Sequence, residues 1–123
     1  MSEKSNSAEI RIDVNYAIEL ITEIFQAKSC NHYEAKTIAE RLCGSNLKGH
    51  DSHGIARVPR YVEWMERGWL YPNMKPELVV DAGAMACLDA KQGFGQIAGE
   101  CAVDEGIESC LLYTSPSPRD FTE

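Results

Sequence analysis

The stretch GHDSHGIARVPRY, residues 49–61, gathers two histidines, an aspartate, a serine and two arginines. His53 carries an imidazole, the side chain that titrates nearest neutral pH, and is the natural general acid or base of the group. Ser52 is its neighbour and could orient the ring or relay a proton. Arg57 follows four residues later, a spacing that puts it on the face of His53 if the segment is helical. A guanidinium there could grip a carboxylate through two parallel hydrogen bonds. A proton donor beside a carboxylate clamp is the minimum kit for a 2-oxo or 2-hydroxy acid. Gly54 leaves room for a substrate or cofactor to approach closely.

Each residue also has a plainer use. Asp51 or Ser52 could simply cap a helix. His50 is expected at the surface or in a structural role, and Arg60 as a solvated helix charge. No metal is expected, because HDSH offers two histidines but no third ligand at a fitting distance in sequence. A hydrolase elbow is ruled out, since GHDSHG has one residue too many before the serine. GFGQIA, residues 93–98, meets only the relaxed form of the dinucleotide-binding glycine pattern, with Ala98 in the last position. Capping or a tight turn is the expected use of those glycines.

The surrounding elements must position this cluster. Val14, Ile18, Ile21 and Phe25 recur at helical spacing and predict a helix over residues 14–28, with Asp13 as its N-cap. Asn31 and Glu34 resemble a variant capping box for a second helix. That helix carries Ala35, Ile38, Ala39 and Leu42 on one face and ends near Leu47. Pro59 requires a third helix to start late, near Val58, or to bend there. Arg67-Gly68 is its stop signal, and residues 69–76 form a loop. ELVVDA and AMACLDA, separated by Gly83, predict a β-hairpin. GFGQ then opens a last helix with Phe94, Ile97, Ala98 and Cys101 as its apolar positions and Gly106 as its C-terminal cap. The class is mixed α/β.

The bulk properties narrow the partners. A net charge of −7 without a run of lysine and arginine disfavours nucleic acid and anionic membrane surfaces. No apolar stretch approaches the ~18 residues of a membrane span. The polar start lacks a signal core, and five cysteines without a C-x-x-C spacing fit reduced thiols. A cytoplasmic compartment is expected. The segment CLLYTSPSPRD, residues 110–120, changes character abruptly and resembles the translation of a transposase sequencing adapter. Residues 1–109 are therefore expected to be native, and residues 110–123 a non-native, disordered tail.

GHDSHGIARVPRYVEWMERGWLYPN, then a hairpin, then DAKQGFGQIAGECAVDEGI, resembles the N-terminal part of the malate/L-lactate dehydrogenase family. That group also holds ureidoglycolate, sulfolactate and 2,3-diketo-L-gulonate oxidoreductases. The carrying pattern is Ser52-His53-Gly54, then Arg57, Tyr61 and Gly68. The resemblance implies a two-domain, non-Rossmann α/β homodimer that binds NAD or NADP and interconverts small 2-hydroxy and 2-oxo acids. It implies His53 as proton donor or acceptor, Ser52 in its relay and Arg57 on the substrate carboxylate. Most cofactor contacts would lie after Ser109, so the chain is expected to be a truncated, inactive piece. The alternative is a small non-catalytic helical binding module whose polar cluster is a capping and contact surface.

Overall fold

The computed structural model describes residues 10–113. Helix α1 (Val14–Ala27) starts where expected, with Asp13 accepting the Tyr16 amide at 3.0 Å. Helix α2 (His32–Leu47) starts at Asn31, whose side chain accepts the Glu34 amide at 2.8 Å. The two helices pack through Ala17, Ile21 and Phe25 on one side and Ala35, Ile38, Ala39, Leu42 and Cys43 on the other. Burying these apolar groups is the main driving force available to the chain.

Only half of the expected capping box forms. The Glu34 carboxylate does not return to the Asn31 amide. It is buried, at 3% exposure, and accepts the backbone N–H of Asn73 at 2.7 Å. Asn73 closes the knot: its Oδ1 accepts the Asn31 N–H and its Nδ2 donates to the Ser29 carbonyl, both at 2.7 Å. A buried carboxylate needs such partners, and here they tie the α1–α2 turn to the loop before the hairpin.

Helix α3 (Val58–Glu66) starts at Val58 and carries Pro59 in its first turn, where a missing N–H costs nothing. Gly68 ends it with φ +78°. The hairpin pairs β1 (Glu77–Asp81) with β2 (Ala86–Asp89) antiparallel, with a bulge between Leu78 and Val80. Its turn is closed by the Ala82 N–H donating to the Met85 carbonyl at 2.8 Å.

Helix α4 (Gly95–Tyr113) departs from expectation at its far end. Gly106 does not cap it; the helix runs through that glycine. An interior glycine costs only about 1 kcal/mol, so the helix can continue past it. Residues 110–113, expected to be disordered, are therefore the last turn of α4. The remainder of the expected tail lies outside the described residues. Val103, Ile107 and Leu111 form an exposed apolar stripe along α4, and every residue of β1 is exposed.

No helix among the described residues is long and apolar enough to cross a membrane. The five cysteines are free, with Cys30 and Cys43 buried and Cys87 and Cys110 exposed. Burial first, and the nearby Glu34 second, push the Cys30 thiol up to about 12. A thiol reagent at pH 8 is expected to modify Cys87 and Cys110 quickly and Cys30 only on unfolding. Equal rates at Cys30 and Cys87 would contradict the packing. The raised Cys30 value also has a sign: above its ordinary 9.0 the unfolded chain loses a proton that the folded chain keeps. Folding stability should therefore decline as pH rises from about 9 toward 12.

Candidate active site

The expected cluster sits between α2 and α3, in two short 3₁₀ turns, Asp51–His53 and Ile55–Arg57. It is not α-helical, so the i,i+4 geometry anticipated for His53 and Arg57 does not apply. Gly54 separates the turns, and its N–H donates to the Asp51 carbonyl at 3.2 Å. The side chains nevertheless meet. Ser52 Oγ lies 2.9 Å from His53 Nδ1. Arg57 Nε donates to the Ser52 carbonyl at 3.0 Å. That bond uses only Nε, and Arg57 has no carboxylate partner among the described residues.

Asn46, near the end of α2, holds this shape. Its Nδ2 donates to Asp51 Oδ1 at 2.8 Å, and its Oδ1 accepts the Ile55 N–H at 2.7 Å. Asp51 is thus not a helix cap, since no side chain caps its turn. Its carboxylate anchors the Asn46 amide. Gly54 also has a different use from the one expected. The space where its side chain would stand is filled by the Asn46 amide rather than left for a ligand. His50 and Arg60 are exposed, as anticipated, and Arg60 stacks its guanidinium 5.9 Å from the Trp64 ring centre.

His53 and Arg57 line one cavity of about 390 Å³. From α3 come Tyr61 and Trp64, from α2 Arg41 and Ser45, and from α4 Gln96. Gln96 Nε2 donates to the Tyr61 hydroxyl at 3.1 Å. The motif GFGQ explains how α4 delivers it. Gly93 closes a turn on the Ala90 carbonyl at 2.9 Å, and Phe94 is buried against Phe25 and Tyr61, each ring pair 5.7 Å apart. A side chain on Gly93 would press on Met74 and on the Ala90 carbonyl, both at 3.0 Å. These glycines serve a turn and a helix start, as expected.

Chemically, the cavity offers an imidazole with a hydroxyl partner, two guanidiniums and neutral hydrogen-bonding groups. Among the described residues, no three His, Cys, Asp or Glu side chains gather to hold a metal ion. Sequence reasoning missed Asn46, Arg41 and Gln96. Nothing in their local spacing marks them, because each acts on a residue from another element.

The sequence pattern of the malate/L-lactate dehydrogenase family matches residues 12–113. The chain belongs to this family. It is 39% identical over 98 residues to hydroxycarboxylate dehydrogenase B of Escherichia coli, covering 80% of this chain and 27% of that protein. Among solved structures it resembles the sulfolactate dehydrogenase of Methanocaldococcus jannaschii. That match has a TM-score of 0.78 and 27% identity, over 82% of this chain and 29% of the other. The malate dehydrogenase of Pyrococcus horikoshii matches with a TM-score of 0.77 and 25% identity over the same shares. The four helices and hairpin correspond to the N-terminal part of this fold, and the chain spans less than a third of these relatives.

Gly54→Ala tests the local geometry. The new methyl group must expel the Asn46 amide and leave the Ile55 N–H or the Asp51 carboxylate without its partner. A loss of about 1–3 kcal/mol in unfolding free energy is expected by chemical denaturation. An unchanged midpoint would show that Asn46 does not hold the turns.

Proposed function

We propose that this chain is the N-terminal part of an NAD(P)-dependent oxidoreductase that interconverts a small 2-hydroxy acid and the matching 2-oxo acid. The observation that carries the reading is the shared cavity, in which a serine-paired imidazole and a guanidinium without a carboxylate partner face the same space. In the whole protein, nicotinamide would supply or accept the hydride at the substrate's second carbon. His53 gives a proton to the carbonyl oxygen as that oxygen becomes a hydroxyl, and takes it back in the reverse direction. Ser52 accepts or donates at Nδ1 and so fixes which ring nitrogen faces the substrate. Arg57, steadied by the Ser52 carbonyl, holds the substrate carboxylate with its terminal nitrogens. Fixing the carboxylate orients the reacting carbon. Tyr61 and Trp64 shield the site from water on the α3 side.

Residues 110–123 belong to this reading as non-native sequence, on the strength of the adapter resemblance. The whole protein is a cytoplasmic homodimer with reduced cysteines. No residue of this chain is assigned to NAD or NADP, and the chain alone turns nothing over, because the hydride-carrying half of the site is supplied by the rest of the protein.

A chimera tests the reading. Residues 12–109 of this chain replace the matching segment of Escherichia coli hydroxycarboxylate dehydrogenase B. His53→Asn should lower kcat by about 10²–10⁴-fold, with a smaller effect on KM. Arg57→Met should lower kcat/KM mainly by raising KM. Unchanged kcat in the His53 variant would remove His53 from its role. Turnover of a 2-oxo acid by the isolated 123-residue chain with NADH or NADPH would refute the division of the site.

A further inference from the structure

Two guanidiniums line the cavity, but they are not equivalent. Arg57 has no acidic partner among the described residues. Arg41 does: its Nη2 donates to Glu100 Oε2 at 2.6 Å. The other oxygen of Glu100 accepts the Tyr33 hydroxyl at 2.6 Å. Both carboxylate oxygens of this α4 residue are thus engaged by donors of α2, Tyr33 in its first turn and Arg41 further along. The Tyr33 hydrogen bond, and after it Arg41, hold the Glu100 carboxyl below its ordinary range, so it is ionised at neutral pH. Reciprocally, Glu100 raises the ordinary value of both Tyr33 and Arg41.

This pairing sets the cavity's charge. A substrate carboxylate arriving at Arg57 finds a cation with free donors. A second carboxylate arriving at Arg41 would have to displace Glu100 or stand beside it. Two like charges a few ångströms apart repel strongly, even near a protein surface. Besides His53, the rest of the polar lining includes Ser45, Tyr61 and Gln96, the last two already joined at 3.1 Å. Such groups suit a hydroxyl or another neutral hydrogen-bonding tail.

We propose that Glu100, acting through Arg41, sets the cavity to accept monocarboxylic 2-hydroxy and 2-oxo acids with a neutral tail and to reject dicarboxylic ones. The proposal rests on the reading of this cavity as the substrate site. Glu100 is a specificity-determining residue that need not touch the substrate. Its neutral isostere keeps the size and one hydrogen-bonding oxygen, while removing the charge that opposes a second carboxylate.

The test uses the full 123-residue chain carrying Trp69→Phe, so that Trp64 in the cavity wall reports binding by fluorescence. Glycerate, with a neutral tail, and malate, with a second carboxylate, are titrated at pH 7 and constant ionic strength. The unmodified site should prefer glycerate by about tenfold or more. Glu100→Gln should shift the malate-to-glycerate ratio by about tenfold toward malate, while Glu100→Asp retains the original preference. In an Arg41→Met background, Glu100→Gln should change the ratio by much less, as expected for coupled residues. Glycerate binding with a ratio unmoved by Glu100→Gln would overturn the specificity proposal alone. Binding indifferent to Arg57→Met, or no binding of either acid, would overturn the substrate-site reading and this proposal with it.

Discussion

Three aromatic rings hold the described part of the molecule together. Phe25 of α1, Tyr61 of α3 and Phe94 at the entry to α4 meet edge-on or tilted, with centres 5.7 to 6.4 Å apart. Such pairs contribute about 0.5–1.5 kcal/mol each beyond the burial of their surface. Phe25 and Phe94 are almost wholly buried. Their packing fixes where α4 begins, and two residues later Gln96 reaches Tyr61. The wall of the cavity that Tyr61 and Gln96 form is therefore a consequence of core packing.

A polar counterpart governs the other wall. The Asn46 amide spans the two 3₁₀ turns and occupies the space that Gly54 leaves open. The result differs from a helix face, yet it brings Ser52, His53 and Arg57 to one place. Asp51 and Gly54, both plausible functional residues by type, turn out to support this bridge. Their chemistry is spent on shape, which is how a short irregular segment can hold functional side chains in register.

Much of the fold can be read along the chain because its causes are local. Asp13 and Asn31 announce their helices, Pro59 dates the start of α3, and Gly83 marks the hairpin. The apolar stripes of α1 and α2 coincide with the buried core. The failures have a common physical origin. Glu34 has the spacing of a capping box, but a partner 39 residues away competes successfully for its carboxylate. Gly106 has the type of a helix cap, but α4 runs through it to Tyr113. In the candidate site, His53, Ser52 and Arg57 were candidates from residue type and adjacency. Arg41, Asn46, Gln96 and Glu100 were not, because each matters only through a contact made by folding, in the case of Arg41 and Glu100 across 59 positions.

The central claim is that one cavity couples a proton-transferring imidazole to a carboxylate-holding guanidinium, and that this is half of a dehydrogenase active site. The chain has three histidines, His32, His50 and His53, so its ring nitrogens can be assigned individually by NMR. On titration with L-lactate, the His53 ring signals should move while those of His32 and His50 stay in place, and Arg57→Met should abolish the movement. His53 signals that do not respond at saturating lactate, or that respond equally without Arg57, would contradict the account.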